Sequence, residues 1–441
     1  MSFSLDWQSD GLIARFALVL YGLVLLAIVW EKVRRNRTLA RLLPAALLWH
    51  FVVWIFIAFW MLPYYAAQGA ADNYGYHDNG IEVARMIRAG DLGTISWNLG
   101  SDTMPIITGL LYTPFGGDVY GMLFFSAALG LCAGVYLCRA FSLWVAPAQL
   151  RRYSLVVLFL PSFVTWTSTF GKDSWIALGL GLTAYGYSLM LKTRGSKGAW
   201  HLSVGVAFVT VIRPHIAVVL AGSMAFAYVW GLMKARRGSV LTKFAMVAIL
   251  ITTLGLLALV AYRFLGISDV SAGSMQEYAR TQGQGNAVGG SVVEIQTAPG
   301  VAGTLLAFPR GIVRVMLQPF PWEIHNFNAG LAAAENLFIL LFVLSHADRL
   351  PRLFRGTARE PYLMFSMTLA GALLLMFSFI PNLGLLSRQR AQLLPFLFAP
   401  FVASETARKR GARLAGNRLR AGLPDSRGHA LPGPQVVLPS T

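Results

Sequence analysis

The chain has 441 residues, 56% of them hydrophobic and only 13% charged, with a mean hydropathy of +0.58 and a formal net charge of +18. A soluble domain is about 25% charged, so this balance excludes an ordinary water-soluble enzyme. Repeated apolar blocks of roughly 20 residues point instead to an all-α polytopic membrane protein.

In chain order, the pattern predicts about eleven spans, at 12–30, 44–66, 119–140, 153–169, 174–191, 199–212, 215–233, 243–264, 329–346, 361–380 and 391–405. The first block has acids ahead of it (Asp6, Asp10), a basic cluster behind it and no small-residue cleavage site, which reads as a retained helix and not a signal peptide. Cys132 and Cys138 share one apolar block and imply no disulfide, zinc or iron–sulfur framework. Gly130 and Gly134 in the same block read as small-residue helix packing.

Basic connections (Lys32 to Arg41, Arg151/Arg152, Lys192 to Lys197, Lys234 to Lys243, Arg349 to Arg359) alternate with acidic or mixed ones. The positive-inside rule then predicts a multi-pass protein of the bacterial inner membrane, with the N-terminus outside and the C-terminus cytoplasmic. The positive charge is a topology signal and a match to anionic membrane lipids, so no nucleic-acid partner is implied. The expected organisation is an integral membrane domain over 1–406, with outer loops at about 67–118 and 266–328. A basic disordered tail follows over 407–441. No internal repeat is visible, which argues against a transporter built of paired halves.

The first outer loop holds "ADNYGYHDNGIEVARMIRAGD", from Ala71 to Asp91. A short helix over Asn79 to Ala89 places Asp78, Glu82 and Arg85 on one face and Val83, Ala84 and Ile87 on the other, an interfacial pattern. Asn79 with Glu82 has capping-box spacing, and Gly90 suits the helix end. Asp72, Tyr74, Tyr76, His77 and Asp78 crowd acids and aromatics beyond what a cap needs. Such a group suits a sugar: a carboxylate takes a hydroxyl proton while a ring lies under the apolar face. A divalent metal on Asp72, His77 and Asp78 is the alternative.

Further along, "LPSFVTWTSTFGKDSWIALG" (160–179) turns on the outer side at Gly171-Lys172-Asp173. Lys172 is placed to hold a lipid-linked phosphate, or else Lys172 and Asp173 are an interfacial anchor and an N-cap. "VIRPHIAVV" (211–219) sets Arg213 and His215 at an outer hairpin, where an arginine is costly unless paired or facing an anion. In the second outer loop Arg280 lies in a glycine-rich stretch that reads as a lid or a linker. It tightens into "FPRGIVRVMLQPFPWEIHN" (308–326). There Arg310 and Arg314, four apart, form a clamp for a pyrophosphate, followed by Trp322, Glu323 and His325. Last, "NLGLLSRQRAQLLPFL" (382–397) carries Arg388 and Arg390. Two apart on a helix, they point to nearly opposite sides, so one at most faces a common site.

An inward-to-outward span, the loop "DNYGYHDNGIEVARMIRAGD" and then "YTPFGG" before the next span resemble the start of the GT-C superfamily, over roughly residues 44–235. That superfamily comprises multi-span glycosyltransferases that use polyprenyl-phosphate-linked sugars. The resemblance implies a catalytic acid and a membrane-lying helix in the first outer loop. This chain departs by an extra span ahead of the usual first one, so Asp72 and Asp78 compete for the catalytic position. The 160–179 turn is similar to a Pro-Ser…Trp-Ser…Lys-Asp turn in membrane proteins of surface-polysaccharide pathways. "PFPWE" is associated with such proteins too, and Arg388 and Arg390 resemble arginines of O-antigen-polymerase-type enzymes.

The expectation is therefore a GT-C-like glycosyltransferase or polysaccharide polymerase of exopolysaccharide or surface-polysaccharide assembly, acting outside the membrane on a polyprenyl-(di)phosphate-linked sugar. Asp78 is the expected base, with Asp72 as alternate and Glu82 beside them. Lys172, Arg213, His215, Arg280, Arg310, Arg314, Arg388 and Arg390 are expected to bind phosphate, with Trp322, Glu323 and His325 at the substrate. Membrane lipids and other polysaccharide-assembly proteins are the further expected partners. A flippase or transporter of lipid-linked glycans and a non-catalytic scaffold are the rival readings.

Overall fold

In hydrocarbon every backbone polar group must find an internal partner, so apolar segments of this length fold as helices. The computed structural model describes residues 9–67, 72–98, 100, 102–193, 196–234, 300–324, 327–345, 347, 360–378, 380 and 383–403. Among these residues all regular structure is helical. The expected span 243–264, Arg280, His325 and the tail 407–441 lie outside the described residues.

α1 (Ser9–Val33) runs to a turn at which Asn36 caps α2 (Arg37–Phe56), its side chain accepting from the amides of Thr38 and Leu39 at 3.1 and 3.2 Å. α2 continues through a π-helical turn (Ile57–Met61) into α3 (Leu62–Ala67). α4 (Asp72–Ala89) and α5 (Thr103–Tyr112) lie in the segment between α3 and the next long apolar helix. The central helices follow: α6 (Val119–Ser142), α7 (Pro147–Phe159), α8 (Pro161–Ser168), α9 (Lys172–Thr193), α10 (Ala199–Ile212) and α11 (Pro214–Lys234). The last four described are α12 (Gly300–Leu317), α13 (Phe327–Ser345), α14 (Pro361–Phe377) and α15 (Leu383–Ala403).

Among the described residues, five helices are long and apolar enough to cross a membrane: Gly11–Val33, Arg37–Ala67, Val119–Ser142, Lys172–Thr193 and Pro214–Met233. Shorter apolar helices include Ser196–Ile212, Ala329–Ser345 and Pro361–Phe377. The chain thus has the make of a membrane protein. α6 and α9 form its centre, 89% and 78% buried over their apolar windows, while α1 is only 22% buried and turns Phe16, Leu20 and Val24 outward. Close approach at the centre relies on small residues. A methyl on Gly130 would stand 2.7 Å from the Thr167 carbonyl oxygen, so α8 can touch α6 only where a side chain is missing.

Three sequence expectations change. The span 153–169 is two helices, broken where Leu160 is extended (φ −62°, ψ 118°) ahead of Pro161, because a residue before proline avoids the helical region. The helix expected over 79–89 already starts at Asp72, so Asn79 and Asp78 are interior residues and not caps. It does end at Gly90, whose φ of +80° only glycine adopts freely. α5 is an added helix that packs on α4 through Gly80, facing Thr108, and Gly109, facing Val83.

Candidate functional site

Asp173, in the first turn of α9, has a side chain only 1% exposed. A carboxylate this deep is tolerable only with matched donors, and three side chains supply them. Arg213, at the break between α10 and α11, brings Nη2 to 3.1 Å of Oδ1. Gln392 of α15 donates to the same oxygen at 3.0 Å, and Arg388 of α15 donates Nε to Oδ2. Arg388 then extends Nη1 to Asp72 Oδ2, 3.0 Å away at the start of α4. Arg213 is braced from its other side by Gln389, whose Oε1 accepts from Nη1 at 2.6 Å.

Lys172 stands next to Asp173 and donates to the Gly100 carbonyl at 2.6 Å, which ties α9 to the segment between α4 and α5. Asn73 makes a second tie, donating to the Phe170 carbonyl at 2.6 Å. Tyr76, one turn beyond Asp72, packs on Phe170 with ring centroids 6.2 Å apart. Gly171 keeps this corner open: a Cβ there would lie 3.4 Å from Arg388 Nη2 and 3.5 Å from the Tyr76 ring. Burial pushes the Tyr76 phenol up to about 12, against the opposing pull of Arg388, so the ring presents a neutral hydroxyl. His215 lies beside Arg213 and Lys172 in the first turn of α11.

The cluster grades from the buried Asp173 to Asp72, whose side chain is 59% exposed. Lys172, Arg213 and Arg388 outnumber Asp72 and Asp173, leaving a surplus of positive charge. That is the electrostatic setting for an oxyanion with a carboxylate at its edge. All of these groups lie at helix ends opposite the basic connections, since Lys172 and Lys192 stand at opposite ends of α9.

The fold brings together Asp72, Lys172, Arg213, His215 and Arg388, and places elsewhere those other expected site residues that the structure describes. Asp78 is exposed on α4, and no ion pair among the described residues ties it to this cluster. Its neighbours are His77 and Tyr112, and His77 Nδ1 lies 3.0 Å from the Tyr112 hydroxyl. Glu82 pairs with Arg85 on an exposed face. Arg310 is exposed, while Arg314 spends Nη2 on the carbonyls of Ser378 and Ile380, so the expected two-arginine clamp is not formed. Glu323 accepts from Gln318 and from the Phe320 amide at 2.9 and 2.7 Å and shapes its own turn, beside a Trp322 that is 79% exposed. Arg390 is fully buried and turns to the other side of α15.

Sequence reasoning passed over Asp173 as an N-cap, although it is the hub. Its signal was an acid adjoining Lys172 in a turn expected on the same side as Arg213 and Arg388. Among the described residues, no group of three or more His, Cys, Asp or Glu side chains is placed to hold a metal ion. With His77 turned to Tyr112, the metal alternative on Asp72, His77 and Asp78 lacks a ligand set. No family model, curated protein or solved structure matches the chain.

Proposed function

We propose that this protein is a GT-C-like membrane glycosyltransferase or polysaccharide polymerase acting on a polyprenyl-(di)phosphate-linked sugar at the extracytoplasmic face of the inner membrane. The observation that carries the reading is the meeting of Asp72, Lys172, Asp173, Arg213 and Arg388, drawn from four separate segments, at one end of the helices.

Asp72 takes the role of base. Arg388 orients it through one oxygen while most of its side chain stays exposed, open to an acceptor hydroxyl. As that hydroxyl loses its proton to Asp72, its oxygen bonds to the anomeric carbon and the bond from that carbon to the phosphate oxygen breaks. The charge left on the lipid phosphate meets Lys172, Arg213 and Arg388, which are already oriented and pay no reorganisation at the moment of transfer. Asp173 touches no substrate in this scheme: it positions Arg213 and Arg388.

The test is polysaccharide output, with its lipid-linked intermediates, from cells carrying Asp72→Asn or Lys172→Ala at matched protein levels. Repeat units lacking one sugar identify a transferase. Complete single units that fail to lengthen identify a polymerase. Normal polymer from both variants sinks the enzyme reading and returns the flippase and scaffold alternatives.

A further inference from the structure

On the far side of α15 from Arg388, a cleft of about 120 Å³ runs between α2, α8, α13 and α15, with Arg390 and Glu335 in its lining. Its walls are apolar and aromatic, including Phe56, Met61, Tyr65 and Trp166. Pro161 and Leu331, both exposed on the apolar outside of the helices, stand at its rim. The π-helical turn Ile57–Met61 forms part of the α2 wall, and such turns gather at functional sites.

Two opposite charges share this cleft, and each is left half used. Arg390 is 0% exposed and Glu335 6%. Arg390 spends Nη1 on the carbonyls of Val315, Met316 and Gln318 at 3.3 to 3.5 Å, yet its Nε and Nη2, the edge that grips two oxygens at once, have no partner. Glu335 accepts from the Ser162 amide through Oε2 at 2.6 Å, capping α8, and its Oε1 has no partner. A buried donor pair and a buried acceptor left unmatched are costly. A bare anion would satisfy Arg390 and be repelled by Glu335. A ligand carrying an anionic oxygen and a cationic N–H together satisfies both.

We propose that this cleft is a binding site for a zwitterionic phospholipid of the bilayer, with the lipid phosphate on the Arg390 Nε/Nη2 edge and the headgroup ammonium on Glu335 Oε1. The acyl chains leave past Pro161 and Leu331 into the membrane. The site is separate from the Asp72–Arg388 cluster and does not rest on the glycosyl-transfer reading.

The test is lipid retention by the purified full-length protein, counted by native mass spectrometry after incubation with phosphatidylethanolamine, phosphatidylglycerol, phosphatidylcholine or a polyprenyl phosphate. The expected result is retention of phosphatidylethanolamine over phosphatidylglycerol, and over phosphatidylcholine, whose quaternary nitrogen has no hydrogen to donate. The margin should be about tenfold, the size of one charge-assisted hydrogen bond. Glu335→Gln keeps an oxygen for the Ser162 amide and should erase that preference. Arg390→Met should abolish retention but loosens the α12 carbonyls it holds. Ala332→Phe therefore serves as the second variant, filling the cleft from its wall and lowering retention with both charges intact. Equal retention of ethanolamine and glycerol lipids by the unaltered protein would overturn the proposal. So would unchanged retention in Ala332→Phe, or displacement of the ethanolamine lipid by equimolar polyprenyl phosphate.

Discussion

Arg388 and Asp72 lie 316 positions apart in the chain and meet at 3.0 Å, with Arg388 at the same time holding the buried Asp173. One guanidinium thus spans the cluster from its interior to its exposed edge. The two carboxylates differ in burial, and that difference separates what each should do when removed.

Removing Asp173 is a stability experiment. Asp173→Ala leaves Arg213 and Arg388, both largely buried, without the carboxylate they share. Breaking a buried pair from one side costs about 3–5 kcal/mol. We expect a marked fall in melting temperature of the detergent-purified protein, or its loss from the membrane fraction. A melting temperature within a degree or so of the parent would show that the arginines find other partners.

Asp72→Asn is expected to behave oppositely. The side chain is mostly exposed, so its bridge to Arg388 is worth about 0–1 kcal/mol and the fold should hold. Under the proposed chemistry the loss of the base should slow sugar transfer by about 10²–10⁴-fold, read as product formed from a lipid-linked donor by the purified protein. Asp78→Asn should leave that rate within a few-fold. The reverse ranking would return the base to Asp78.

How much of this was legible in the sequence depended on the kind of signal. Alternating basic connections led to the expectation that Asp72, Lys172, Arg213 and Arg388 share one side, and these residues do gather in one cluster, because charge asymmetry between loops is a property of the chain itself. The spacing of Arg388 and Arg390 likewise foretold that they diverge, because a helix turns residues two apart to opposite sides. Arg310 and Arg314 also had a good helical spacing, but spacing cannot say that the carbonyls of Ser378 and Ile380 would occupy Arg314. Asp173 and Glu335 were hidden for a related reason. An acid at a helix start and an acid within an apolar helix look alike as sequence, and only the segments packed against them reveal their partners.

The close fit of α4 on α5 carries its own prediction. A Cβ on Gly80 would stand 2.4 Å from Thr108 Cγ2, well inside contact distance. Gly80→Val should wedge the two helices apart at a cost of about 1–3 kcal/mol. Because α4 begins with Asp72, the wedge should also weaken the Asp72–Arg388 contact. Faster proteolysis within 72–112, with the remaining helices intact, is the expected reading. Proteolysis indistinguishable from the parent would mean that Thr108 turns aside at little cost.

His77 supplies a pH dependence with a definite sign. Burial lowers its pKa from the ordinary 6.5, and the nearby Asp78 and Asp118 oppose that shift without cancelling it. The unfolded chain therefore takes up this proton at higher pH than the native protein does. Well above 6.5 both states hold a neutral ring and His77 adds no slope. As pH falls below 6.5 the unfolded state gains the proton first, and stability declines until the lowered native pKa is passed. The slope cannot exceed about 1.4 kcal/mol per pH unit for one group. His77→Gln removes this contribution, so its loss of melting temperature between about pH 7.5 and about pH 5 should be smaller than the parent's. His50, His201 and His215 stay in both proteins and cancel in the comparison. An identical fall in the two would show that His77 is protonated as readily in the native state as in the unfolded chain, and that its contact with Tyr112 survives the charge.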